Sequence, residues 1–194
     1  MPLAQAVECT LEVARVLDEL GVPYLVGGSL ASSLHGIPRS TQDADLVAEL
    51  ELSHVSRLVE RLGSDFYLDA DAIREAIRGK RCFNLIHLAT MFKVDVFIPG
   101  DDTAQREEMR RRQTYVVDPD SGRTLSVASA EDIILQKLDW YRQAEGLSER
   151  QWDDVIGVIQ VRGPELDLCY LRQSAARMGI ADLLERALSA ATSS

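Results

Sequence analysis

Two aspartates, Asp43 and Asp45, are separated by one residue at the start of a strand-like apolar segment. On a strand, residues i and i+2 point to the same face, so the two carboxylates are expected side by side. Neighbouring like charges raise each other's pKa unless a cation lies between them. Because hard oxygen ligands suit divalent cations, the pair predicts a metal site. The alternative is a pair of surface aspartates at a strand start.

Asp95 is a third acid that could join this pair. It interrupts an otherwise strongly apolar strand pattern over residues 93–98. A buried acid requires a partner. If this strand lies beside the strand of Asp43 and Asp45, three carboxylates converge, as two-metal phosphoryl chemistry requires. The alternative is an outward-facing acid on an edge strand.

A glycine pair and a serine, Gly27-Gly28-Ser29, lie between a predicted buried strand over 24–26 and a short predicted helix over 30–34. Backbone N–H groups and a hydroxyl at the start of a helix can hold phosphate. Arg39, four residues before Asp43, is expected either to contact that phosphate or to orient Asp43 by a charge-assisted hydrogen bond. Plain turn chemistry is the alternative for the glycine pair.

The elements that must position these residues follow from hydrophobic periodicity and capping residues. Further predicted strands cover residues 44–50, 82–88, 92–98, 114–117 and 124–127, and the second and third of these form an antiparallel hairpin. Predicted helices in the first part of the chain cover residues 3–20, a segment capped by Ser53 that runs to Leu62, a segment from Asp69 or Asp71 to Gly79, and residues 106–112. From the capping box Ser129-Ala-Glu-Asp132 onward, helices are predicted to Tyr141 and over 149–161, 166–178 and 180–188. The pattern therefore predicts an N-terminal α/β domain, residues 1–127, and a C-terminal helical domain, residues 128–194, packed against it.

Composition excludes some classes of protein. With 194 residues, 46% hydrophobic and 27% charged, the chain is predicted to be a folded globular protein rather than a disordered one. Lys and Arg total 21 against 31 Asp and Glu, a net charge of −10, which argues against nucleic-acid binding by overall charge. An RNA acceptor would need a local patch, for which the candidates are Arg39, Arg78, Lys80, Arg81 and the run from Arg106 to Arg112. Isolated cysteines and the lack of a long apolar stretch predict a cytoplasmic protein with no membrane partner.

The segment from Gly27 to Leu46, GGSLASSLHGIPRSTQDADL, together with Asp95 resembles the signature of the nucleotidyltransferase superfamily that includes DNA polymerase beta. More narrowly, it is similar to the AbiEii-like branch, whose members include toxins of type IV toxin–antitoxin systems. That branch has a C-terminal helical part with a lysine in one helix and an acidic pair in another. The matching positions here are Lys137, in a helix that begins at Glu131-Asp132, and the pair Asp153-Asp154.

The resemblance implies an α+β nucleotidyltransferase-like fold, with a small mixed sheet flanked by helices and a C-terminal helical bundle. It also implies transfer of a nucleoside monophosphate from an NTP to an acceptor hydroxyl, with release of pyrophosphate. Two Mg²⁺ ions are implied, with Mn²⁺ as the alternative, and Asp43, Asp45 and Asp95 would be both metal ligands and catalytic residues. The implied nucleotide-binding residues are Gly27, Gly28 and Ser29 at the phosphates, Arg39, Lys137, and Asp154 or, as the alternative, Asp153.

Several points stay open at the level of sequence. The acceptor is an RNA such as tRNA, a protein or a small molecule, and a cognate antitoxin is a further implied partner. One alternative function is a catalytically inactive nucleotide-sensing or partner-binding module of the same fold. A second alternative is a nucleotide-sugar glycosyltransferase that uses Asp43 and Asp45 for its metal, in which case the glycine turn and Asp95 would be coincidences.

Overall fold

The structure is a computed structural model that describes residues 2–118 and 120–192. Within these residues the chain forms seven β-strands and nine α-helices. The strands are β1 (Tyr24–Val26), β2 (Asp43–Ala48), β3 (Phe66–Tyr67), β4 (Cys82–His87), β5 (Lys93–Phe97), β6 (Gln113–Asp118) and β7 (Arg123–Val127). The helices are α1 (Leu3–Glu19), α2 (Gly28–His35), α3 (Val55–Leu62), α4 (Ala70–Gly79), α5 (Thr103–Arg111), α6 (Ala130–Gln143), α7 (Glu149–Arg162), α8 (Leu168–Met178) and α9 (Ala181–Thr192).

The described residues group into two compact units. The first contains the residues up to Leu30 and Ser40–Ala128, and therefore the whole sheet. The second contains Ala31–Arg39 and the residues from Ser129 onward, and therefore α6 to α9. The second unit thus includes the segment 31–39, which the sequence pattern assigned to the N-terminal domain.

The sheet of the first unit has the strand order β3-β4-β5-β2-β1-β7-β6. β2 runs parallel to β5, and β1 runs parallel to β7. The other neighbouring pairs are antiparallel, including the predicted β4–β5 hairpin. The predicted mixed sheet and α+β class are confirmed. The two residues of β3 escaped prediction because so short a strand shows no alternation.

The core of the first unit lies on one face of the central strands. In β2 the residues Ala44, Leu46 and Ala48 are fully buried, whereas the residues between them are only partly buried. This alternation is what a strand with one apolar face requires. Helix α1, which contacts β2 and α3, contributes a stripe of buried residues at helical spacing. The two aspartates of β2 therefore lie on the face opposite the core.

The second unit is helical, as predicted for this part of the chain. Ser129 caps α6, because its Oγ accepts a hydrogen bond from the backbone N–H of Asp132 at 3.1 Å. The Glu131 carboxylate accepts from the N–H of Asp167, and the Tyr170 hydroxyl donates to the Asp132 carboxylate at 2.6 Å. The acid pair at the start of α6 therefore fixes the start of α8. Over residues 2–118 and 120–192, no helix has the length and apolar character needed to cross a membrane.

Candidate functional site

The three predicted catalytic acids come together on one face of the first unit's sheet. β2 and β5 are parallel neighbours, and Asp45 lies directly beside Asp95 in the register. Asp43 lies two residues before Asp45 and therefore points to the same face. We call Asp43, Asp45 and Asp95 the acid cluster. Their convergence was predicted on the condition that these strands are neighbours, and the β2–β5 pairing fulfils that condition.

The glycine turn is in direct contact with the acid cluster. The N–H of Gly27 donates to the backbone carbonyl of Asp45 at 2.8 Å. Helix α2 begins at Gly28, two residues earlier than predicted, so Ser29 is the second residue of the helix. The N–H of Gly27 is thus bound by β2, while Gly28 and Ser29 form the first two residues of α2. The roles of Gly27, Gly28 and Ser29 as phosphate-binding residues stay predictions.

Gly28 is the residue that permits this contact. Its φ of +57° lies in the left-handed region, and a Cβ atom at this position would lie only 1.9 Å from Oδ2 of Asp45. Any other residue would meet both a backbone cost and a collision. The second glycine of the predicted phosphate turn thus lets the start of α2 approach the Asp45 carboxylate.

Gly28→Ala is expected to lower the free energy of unfolding by about 2 to 4 kcal/mol, through an unfavourable φ and displacement of the Asp45 carboxylate. Gly21→Ala is the matched control, because Gly21 has a φ of +68° but a Cβ atom there would meet no other atom within 4 Å. The control should lose only about 1 to 2 kcal/mol. Urea unfolding of both variants measures the difference. Equal losses would show that Asp45 does not constrain Gly28.

A lysine that the sequence pattern did not single out lies within the acid cluster. The Nζ atom of Lys93 is 2.7 Å from Oδ2 of Asp95, with the lysine side chain 44% exposed and the aspartate 15% exposed. Lys93 is also the cross-strand neighbour of Asp43. The hydrogen bond to Asp95 raises the pKa of Lys93, and the charges of all three acids act in the same direction. The i, i+2 spacing of Lys93 and Asp95 was the available signal, since it places both on one face.

The acid cluster does not form a ready-made metal site. Among residues 2–118 and 120–192, no three His, Cys, Asp or Glu side chains are grouped so that they could hold a metal ion. In this arrangement Oδ2 of Asp95 binds the Lys93 ammonium, and Asp43, Asp45 and Asp95 stay the predicted ligand set. The donor chemistry nevertheless fits a divalent cation, because hard carboxylate oxygens share one face with an ammonium ion among them.

Thr41 is a second residue that sequence reasoning missed. Its side chain is buried, and its Oγ1 donates to the backbone carbonyl of Asp43 at 3.0 Å. The same oxygen lies 3.4 Å from Oδ1 of Asp43. Thr41 therefore fixes the first residue of β2 and stands beside its carboxylate.

The other three predicted nucleotide ligands bind one another inside the second unit. Arg39 makes a two-pronged ion pair with Asp154, at 2.6 Å from Nε to Oδ1 and 2.8 Å from Nη2 to Oδ2. Lys137 lies 2.8 Å from Oδ2 of the same aspartate. The Lys137 side chain is 0% exposed and that of Asp154 is 5% exposed. We call these residues the buried ion cluster.

Close ion pairs offset the cost of burying the charges of the buried ion cluster. Burial raises the pKa of Asp154, but hydrogen bonds and charges from Arg39 and Lys137 outweigh it, so the net pKa is below the usual value of 3.8. The Lys137 ammonium also lies 5.3 Å from the centre of the Trp140 ring, which adds a cation–π contact. Both cations thus have partners, and the Lys137 side chain has no exposed surface of its own.

A close backbone approach brings Arg39 to α7. A Cβ atom on Gly36 would lie 2.7 Å from the backbone carbon of Gly157 in α7. Glycine at this position therefore lets the segment after α2 lie directly on α7, within reach of Asp154. The sequence separation of 115 residues between Arg39 and Asp154 explains why spacing alone did not predict this ion pair.

Comparisons with known proteins show which solved structures share this fold. No family model matches the sequence, and no curated protein matches it. An antigenic nucleotidyltransferase-like protein from Paracoccidioides brasiliensis has a TM-score of 0.62 and 21% identity, with 95% of this chain and 93% of that chain covered. The antibiotic-resistance factor ANT(2″)-Ia has a TM-score of 0.57 and 18% identity over 96% of this chain and 98% of its own. A candidate nucleotidyltransferase from Thermotoga maritima has a TM-score of 0.51 and 15% identity, covering 78% and 94%. The chain therefore has a nucleotidyltransferase-like fold.

Proposed function

We propose that this chain is a metal-dependent nucleotidyltransferase that transfers a nucleoside monophosphate from an NTP to an acceptor hydroxyl and releases pyrophosphate. The observation that carries the proposal is the contact of Gly28 with the Asp45 carboxylate, whose strand neighbour is Asp95. It joins a turn suited to phosphate to carboxylates suited to divalent cations. The nucleotidyltransferase-like fold supports the same function.

In the proposed reaction the protein holds the donor and accepts a proton. The turn Gly27-Gly28-Ser29 binds the β- and γ-phosphates, and Asp43, Asp45 and Asp95 would hold divalent cations. Such ions neutralise the triphosphate and lower the pKa of the attacking hydroxyl. The acceptor oxygen forms a bond to the α-phosphorus as the bond from that phosphorus to the bridging oxygen breaks. Pyrophosphate leaves with the electron pair, and the hydroxyl proton passes to Oδ1 of Asp95.

Under this proposal the Lys93 ammonium competes with divalent cations for the Asp95 carboxylate. Lys93→Met removes the ammonium that competes for Asp95, and we expect it to tighten binding of Mn²⁺ to the nucleotide-free protein by about tenfold or more. Calorimetric titration with Mn²⁺ measures this change. Lys80→Met is the control, because Lys80 is an exposed lysine of the same unit that lies after α4. Unchanged or weaker Mn²⁺ binding in Lys93→Met would contradict a shared cation position.

A transfer assay tests the proposed function itself. Each of the four NTPs, labelled at the α-phosphate, is incubated with Mg²⁺ and acceptors of three classes: tRNA, protein and small polyhydroxylated molecules. We expect the label to appear on one class, with equimolar pyrophosphate release. Absence of transfer with every donor and acceptor would favour the catalytically inactive binding module.

The narrower AbiEii-like assignment rests on the residue 27–46 segment and on the helices of Lys137 and Asp154. Within it, the roles of Lys137, Asp154 and Arg39 toward the nucleotide stay predictions, and in the structure Asp154 holds Arg39 and Lys137 by ion pairs. A toxin role with a cognate antitoxin belongs to the same assignment. Growth arrest by the native protein, absent with Asp45→Asn, is the result that this role predicts.

A further inference from the structure

A groove of about 310 Å³ lies in the first unit between α4 and the open edge of β4. β3 pairs only with Ile86 and His87, so within the described chain the Cys82–Asn84 half of β4 has no strand on that side. The polar lining consists of Tyr67, Asp69, Glu75, Arg81, Cys82 and Asn84. The groove is therefore a polar cavity formed where the sheet edge is left uncovered.

The groove opens beside the acid cluster. Asn84 is the cross-strand neighbour of Asp95 in the β4–β5 register. Cys82 lies two residues away and shares the face of Asn84. Burial, followed by the charges of Asp95 and Asp45, raises the pKa of Cys82 to about 11. Two lining residues of the groove thus belong to the sheet face that carries the proposed reacting groups.

The charges of the groove favour a cationic ligand. Asp69 and Glu75 bring two carboxylates to the lining, against one guanidinium from Arg81. Asp69 uses Oδ1 to cap α4, where it accepts from the N–H groups of Asp71 and Ala72. The thiol of Cys82 is neutral at physiological pH. Tyr67 is 60% exposed and offers an aromatic ring to the ligand.

Size and overall charge limit the ligand further. A volume of about 310 Å³ suits a small molecule, since it lies at the lower end of the range for ligand pockets. The net charge of −10 disfavours a polyanion such as RNA. A small molecule that carries hydroxyls and protonated amines meets both conditions, because it is compact and cationic.

We propose that this groove is the acceptor subsite and that it takes a small polyhydroxylated molecule bearing protonated amines. That the ligand of this groove is an acceptor rests on the proposed function. Glu75 and Asp69 bind the amines, Asn84 lies between them and the acid cluster, and a hydroxyl of the ligand is the attacking group. Glu75 is a binding residue in this scheme and takes no part in proton transfer.

The test uses kanamycin and its fully N-acetylated derivative, a pair with the same ring framework but different charge. Binding to the nucleotide-free native protein is measured by calorimetry and by amide shifts in ¹⁵N-labelled protein. We expect kanamycin to bind and to shift the amides of Tyr67, Ala72 and Asn84, and the acetylated derivative to do neither. Glu75→Gln should weaken kanamycin binding about tenfold. Glu107→Gln, which removes one charge from α5, should leave it unchanged.

The possible outcomes distinguish a failure of the acceptor subsite from a failure of the proposed function. Equal binding by both compounds, no binding by either, or equal weakening in both variants would overturn the subsite. Kanamycin binding without label transfer from any NTP would leave the groove as a cation-binding site and count against the proposed function. Transfer to tRNA with no shift of the groove amides would support the function and overturn the small cationic acceptor.

Discussion

Replacement of Asp45 by asparagine is expected to reduce nucleotide transfer by about three orders of magnitude while the fold remains intact. Cation stabilisation of the transferring phosphate supplies several kcal/mol, and each step of about 1.4 kcal/mol is a factor of ten in rate. Asparagine keeps the shape that Gly28 accommodates but loses the charge that a divalent cation needs. Loss of one negative charge from the acid cluster also relieves like-charge repulsion, so we expect the free energy of unfolding to stay within about 1 kcal/mol of the native value.

The measurement for Asp45→Asn is the rate of label transfer from the α-labelled NTP, with urea unfolding in parallel. Asp101→Asn is the matched control, because Asp101 is 93% exposed and pairs with Arg106 at the surface. The control should keep its full rate. A rate for Asp45→Asn within about tenfold of the native rate would show that Asp45 takes no part in the reaction. Loss of rate together with loss of the folded state would instead assign it a structural role.

The second large effect concerns stability. Asp154→Asn leaves the fully buried Lys137 ammonium without its carboxylate, and removing one partner of a buried pair costs about 3 to 5 kcal/mol. For a chain of this size that corresponds to a Tm lower by roughly 6 to 20 °C. Asp153→Asn is the control, because the adjacent aspartate is exposed. It should change stability by less than about 0.5 kcal/mol.

Acid titration of the native protein gives a second readout of the same cluster. Because the folded pKa of Asp154 lies below its ordinary value of 3.8, its stabilising contribution is present above that value and is lost as the pH falls through the folded pKa. Asp154→Asn should therefore flatten the decline of stability below about pH 4. A native-like decline in the variant, or a variant as stable as Asp153→Asn, would show that Lys137 finds another partner.

The residues on strands were the part of the site that sequence could predict. The alternation of Asp43, Ala44 and Asp45 fixes which side chains share a face, because the side-chain period of a strand is two residues. The same rule placed Asp95 and would have placed Lys93. The two-residue period does not show which strands are neighbours in the sheet. The parallel pairing of β2 with β5 depends on the topology of the whole sheet. The acid cluster could therefore be predicted only as a conditional statement.

The features that could not be predicted from the sequence arise from contacts between residues far apart along the chain. Arg39 and Asp154 were each singled out, but a separation of 115 residues hid their ion pair. Gly36 and Gly157, which bring their backbones together, carry no side-chain pattern that periodicity can detect. The α4–β4 groove has the same origin, because it exists only where β3 is too short to cover β4. Local pattern determined the elements, and tertiary packing decided which of their side chains meet.

Calorimetric binding of the four NTPs, with and without Mg²⁺, to the native protein and to Asp43→Asn shows whether the acid cluster is part of a nucleotide site. We expect at least one NTP to bind the native protein only with Mg²⁺, and Asp43→Asn to abolish this binding at unchanged stability. Binding by no NTP under any condition, or Mg²⁺-independent binding that is equal in the variant, would contradict a nucleotide site at the acid cluster.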